Sequence, residues 1–206
     1  MTFHLWLAFV AAATVLLMIP GPTILLVISY ALSQGRRVAL AMALGVALGD
    51  FVAMSASLLG LGALVMASAE LFTALKWIGA LYLVWLGVKL LRSAPRGLEI
   101  PEATPKEARR VFAHAATVTA LNPKSIAFFI AFVPQFLSPG APLAPQFAEL
   151  IATFVGLAAA NALIYALLAD RLRSRIRRPG VLRAMNRTGG GALIGMGVMT
   201  AALSRS

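Results

Sequence analysis

Apolar residues in this chain come in blocks of roughly twenty, one after another, and that spacing constrains the fold more than any other feature. A hydrocarbon core about 30 Å thick takes about 20 residues of helix to cross. Hydrophobic residues make up 60% of the 206 and charged residues only 12%. The mean hydropathy is +0.88. Soluble domains carry about 25% charged residues, so water would not solvate this surface over its whole area. The expected class is an all-α integral membrane protein.

Six transmembrane helices are expected, at about residues 5–32, 38–66, 71–91, 111–137, 147–169 and 188–203. The first is interrupted at Pro20-Gly21-Pro22 and the fourth at Asn122-Pro123-Lys124. The last is short and glycine-rich. Residues 92–110 hold Pro95, Pro101 and Pro105 among mixed charges and read as a connecting loop, not a domain. The N-terminal block lacks a basic n-region and runs on past Pro22, which marks a retained membrane helix and not a cleaved signal peptide.

The formal net charge is +11, but position decides what that charge means. Arg36, Arg37, Arg92, Arg96, Lys106, Arg109, Arg110 and the arginines of 171–187 fall in alternate spaces between the blocks. Cytoplasmic loops carry such an excess of Lys and Arg, so those spaces are expected inside and both termini outside a cytoplasmic membrane. No basic face or aromatic platform remains for nucleic acid. The absence of cysteine excludes disulfides and thiolate metal sites. His4 and His114 lack metal-ligand spacing. No phosphate-binding glycine loop or nucleophile constellation is present, so neither a cofactor nor enzyme catalysis is expected.

The two halves correspond at matching places. Pro20-Gly21-Pro22-Thr23-Ile24 lines up with Asn122-Pro123-Lys124-Ser125-Ile126, Gly45 and Asp50 with Gly156 and Asn161, and Gly79 and Gly87 with Gly189 and Gly197. Three spans per half is an odd number, so the second half sits upside down relative to the first. The expected architecture is one transporter domain, 1–206, of two inverted three-helix repeats. Repeat one covers about 1–92 and repeat two about 111–206, with the cytoplasmic loop at about 92–110 between them.

Proline within a helix removes a backbone hydrogen bond. In hydrocarbon each freed group costs several kcal/mol, so broken backbone must face protein or a watery cavity. Interrupted helices in equivalent repeat positions point to a midplane transport site. Pro20, Gly21, Pro22, Asn122, Pro123 and Lys124 are therefore candidate lining residues; paired packing kinks are the alternative. Asp50 lies thirteen residues past Arg37, roughly 20 Å into its helix at about 1.5 Å per residue. A carboxyl at that depth costs roughly 2.5–3.5 kcal/mol to insert, which favours proton or substrate handling over a purely structural tie. Lys124 has three open roles: counter-ion to Asp50, partner of a substrate carboxylate, or a side chain snorkelling to the cytoplasm. Asn161 occupies the repeat position of Asp50 without its charge. Ala41, Gly45, Gly49, Ala53 and Ser57 form a small-residue stripe of the packing kind, and Trp77, Tyr82 and Trp85 read as packing or interface aromatics.

With these residues in view, the chain resembles the LysE (lysine exporter) superfamily, including its RhtB-type homoserine and threonine exporters. The resemblance rests on the break at residues 20–22, Gly49-Asp50, Leu121-Asn122-Pro123-Lys124, and Gly79-Ala80-Leu81-Tyr82-Leu83 followed by Gly87. It spans essentially the whole chain. It implies efflux of an amino acid or amino-acid derivative driven by the proton gradient, with Asp50 carrying protons and the two breaks touching substrate. It leaves the substrate open among lysine, arginine, threonine, homoserine, leucine and cysteine-type solutes. The expected partners are that small solute, protons and the lipid bilayer. A homo-oligomer is open, since small-residue stripes serve internal and intersubunit packing alike. Two other readings stand beside the exporter: a passive small-solute channel, and a lipid-handling protein using its arginine loops on anionic headgroups.

Overall fold

A computed structural model describes residues 2–19, 21–93, 107–138, 141–169 and 179–202. Eight α-helices account for nearly all of them: α1 (Phe3–Met18), α2 (Pro22–Gln34), α3 (Ala39–Ala67), α4 (Ala69–Arg92), α5 (Ala108–Ala120), α6 (Pro123–Ala131), α7 (Leu143–Leu167) and α8 (Pro179–Ala202). Two single 3-10 turns, Gly35–Val38 and Val133–Phe136, complete the set, and no strand occurs among the described residues.

Local sequence explains the helix ends. The Thr2 hydroxyl accepts from Leu5 N at the start of α1 and the Ser68 hydroxyl from Leu71 N at the start of α4, each satisfying one orphan amide of a first turn. Glu70 opens α4, and Lys89 and Arg92 close it, matching the sign of the helix dipole at each end. Both interrupted blocks are split where sequence places them. Pro22 and Pro123 each stand in the first turn of a new helix, where the missing N–H costs nothing. α1 and α2 are bent 58° from each other.

Among the described residues three helices, within Ala39–Ala63, Thr73–Arg92 and Leu143–Leu167, are long and apolar enough to cross a membrane, and the bent pair α1–α2, counted as one span, makes a fourth. Exposure follows the same logic. Along α3, Leu40, Leu44 and Leu48 point outward while Met42, Val46, Asp50 and Met54 are buried. A face so rich in exposed leucine suits lipid and not water. The final helix differs from the sequence expectation: it begins at Pro179, ahead of the apolar run from residue 188. Arg183 and Arg187 lie on its first turns, because helix continues through residues that hydropathy alone scores as loop.

Packing centres on α3, which lies against α5, α6 and α7, while α4 lies against α8 and α6. Glycine sets the closest approaches. A Cβ on Gly49 would lie 2.5 Å from the Ala116 carbonyl oxygen, and one on Gly45 2.5 Å from that of Phe112. The small-residue stripe is thus the seam between α3 and α5. Between α4 and α8, a Cβ on Gly87 would lie 2.6 Å from the Gly190 oxygen, and one on Gly197 2.7 Å from the Ala80 oxygen.

Candidate transport site at the two helix breaks

The end of α1 sets the chemistry. A helix leaves its last four carbonyls without intrahelical partners, and here three side chains from two other helices answer those at the end of α1. Lys124 Nζ donates to the Leu16 and Ile19 oxygens, each at 2.9 Å. Asn161 Nδ2 donates to the Leu17 oxygen at 3.2 Å. The Tyr165 hydroxyl donates to the Met18 oxygen at 3.4 Å. Side chains from α6 and α7 therefore hold the broken end of α1, and an ammonium sits at the negative pole of its dipole.

Across the break, α2 and α6 both begin at this level. The Asn122 side-chain oxygen accepts from Lys124 N at 3.1 Å, capping α6, while its amide donates to the Thr23 hydroxyl at 3.2 Å. Thr23 and Thr119 share a further hydroxyl hydrogen bond of 3.3 Å. No side chain caps α2, whose N-cap is Gly21.

Asp50 is 2% exposed, and its Oδ1 is buried without a hydrogen-bond partner. It faces a cavity of about 20 Å³ that is also lined by Thr23, Asn122, Lys124 and Asn161. That volume holds about one water or a group of similar size. Asp50 and Lys124, the two ionisable residues of this lining, thus share one cavity. A second cavity, of about 300 Å³, opens beside the first and shares Asn122 and Lys124 with it. Gly21, Pro22 and Pro123 line the larger space together with Tyr82, Trp85 and Lys89.

The structure thus gathers Asp50, Gly21, Pro22, Asn122, Pro123, Lys124 and Asn161 around one pair of adjoining cavities; Pro20 lies outside the described residues. Lys124 is committed to the α1 carbonyls with two donors, and an ammonium carries three. Sequence reading missed Thr23, Thr119 and Tyr165, which are unremarkable in type and are brought in only by tertiary contact. Tyr82 and Trp85, read from sequence as packing or interface aromatics, line the larger cavity. Phe9, Phe128, Phe129, Phe132, Phe136 and Phe154 form a buried cluster between α1, α6 and α7, with Phe129 and Phe154 edge to face at 4.8 Å. Among the described residues no group of His, Asp and Glu is arranged to hold a metal ion.

Residues 14–203 match the profile of the LysE type translocator family. An uncharacterized membrane protein of Vibrio cholerae is 35% identical over 98% of both chains. A homoserine/homoserine lactone efflux protein of Salmonella typhimurium is 32% identical over 98% of both. A leucine efflux protein of Klebsiella pneumoniae is 28% identical over 66% of this chain and 65% of its own. No solved structure matches. The chain belongs to the LysE type translocator family, and it is a membrane transporter and not an enzyme.

Proposed function

We propose that this protein exports an amino acid or amino-acid derivative across the cytoplasmic membrane by proton antiport, with alternating access about the paired breaks. One observation carries this reading: an unpaired buried carboxylate oxygen on Asp50 and the ammonium of Lys124 line the same cavity. An amino acid carries the complementary pair of charges. Its ammonium suits Asp50; its carboxylate suits Lys124 and the uncapped start of α2. Asp50 takes up a proton when the ammonium leaves, which couples one movement to the other. The relatives named for homoserine and leucine efflux support the solute class.

Six spans in two inverted repeats, with both termini outside, complete the proposal. The pairing of α3 with α7 and α4 with α8 supports it, since each helix lies against its repeat counterpart. The offset of 110 residues that carries Gly87 onto Gly197 also carries Ala80 onto Gly190. It therefore exchanges the two close contacts between α4 and α8. A cavity beside Asp50 with room for about one water suits a gated carrier better than an open channel. One proton crossing 100 mV supplies about 2.3 kcal/mol, or about a 50-fold solute gradient.

The test is uphill movement of labelled amino acids in sealed proteoliposomes under an imposed proton gradient. Movement that collapses with a protonophore is the expected result. Downhill flux unaffected by the gradient would favour the channel, and lipid movement without amino-acid flux would favour the lipid reading.

A further inference from the structure

The two cavities differ in size and character, and an amino acid placed across them has its side chain assigned by that difference. The smaller has room for one water-sized group, such as the ammonium facing Asp50. The rest of the solute has only the adjoining 300 Å³ in which to lie, a volume at the lower end of small-molecule sites. Its walls beyond the shared Asn122 and Lys124 include Ile19, Tyr82, Trp85, Leu86, Leu90 and Leu193, together with Ser93 and Lys89. Among the described residues no carboxylate lines it. Lys89 Nζ lies 5.0 Å from the centre of the Trp85 ring, a cation–π arrangement that holds a second positive charge at this mouth.

Resting on the amino-acid exporter reading above, we infer that this cavity is the side-chain subsite and that it selects solutes with uncharged, apolar side chains, branched aliphatic or aromatic, over cationic ones. Each methylene buried against these walls adds about fourfold in affinity. A cationic side chain would meet two ammonium groups and no counter-charge among the described residues, a like-charge arrangement that discriminates by roughly tenfold or more. Leu86 is the specificity position best suited to a test, since it is only partly buried and lines this cavity but not the one that holds Asp50.

Counterflow in proteoliposomes tests this directly, with labelled leucine, phenylalanine, alanine, lysine and arginine as probes. The expected result is leucine and phenylalanine moving at least about tenfold faster than lysine and arginine at equal low concentration. Leu86→Trp should cut phenylalanine flux far more than alanine flux. Lysine or arginine moving as well as leucine would overturn the subsite assignment while leaving the exporter reading intact. So would phenylalanine flux untouched by Leu86→Trp, the result expected if a lipid chain fills the cavity. No flux of any amino acid by verified, inserted protein would instead overturn the exporter reading on which the inference rests.

Discussion

Lys124 Nζ donates to the carbonyl of Ile19 at 2.9 Å, although the two residues lie 105 positions apart. The bond joins the start of the second broken helix to the end of the first, so movement of either break is felt by the other. It also gives Lys124 a structural duty beside any contact with solute.

Lys124→Met should therefore lower stability as well as transport. The Leu16 oxygen keeps a backbone donor in Ile19 N, but the Ile19 oxygen loses the side-chain donor it has. An unsatisfied buried carbonyl costs about 1–3 kcal/mol. Thermal unfolding in detergent should show the loss, and an unchanged melting temperature would mean that water replaces the ammonium.

Asn161→Asp should be more harmful than its small size change suggests. An ionised carboxylate cannot donate to the Leu17 oxygen that Asn161 Nδ2 now holds, and it brings a second negative charge to the cavity of Asp50. A loss of about 1–3 kcal/mol in stability is expected. Thermal unfolding of purified protein checks it, with Asn161→Ala as the uncharged comparison.

Gly49→Ala should destabilise by about 1–3 kcal/mol, the cost of overpacking a seam, because its new Cβ would meet backbone 2.5 Å away on α5. Gly60→Ala on the same helix meets nothing within 4 Å and should be neutral or slightly stabilising. Melting temperatures of the two variants, compared side by side, give the answer.

Topology is open to direct labelling, since the chain has no cysteine of its own. In intact cells, a cysteine introduced by Ala141→Cys should react with an impermeant maleimide, and one from Ser93→Cys should not. The reverse pattern would invert the proposed orientation.

Much of this organisation is written in the sequence. Apolar blocks and prolines are strong, local signals, so the splits before Pro22 and Pro123 and the isolation of Asp50 and Lys124 could be read directly. Tyr165 and Thr23 could not, because nothing in their neighbours along the chain marks which carbonyl or amide they will meet. The start of α8 at Pro179 was hidden for a different reason: hydropathy reports apolar content, and that helix begins among polar residues. The role of Lys124 was open among counter-ion to Asp50, partner of a substrate carboxylate and snorkelling side chain. Its contact with the end of α1 is a further role, and it depends on a fold-level contact that no spacing encodes.

The central claim is that Asp50 carries the proton that drives export. The most direct measurement is proton-gradient-driven flux in proteoliposomes, wild type beside Asp50→Asn, with equal insertion verified for both. Uphill export by the wild type that is abolished in the variant is the predicted result. Uphill export that survives in Asp50→Asn would contradict the account and remove Asp50 from the coupling mechanism.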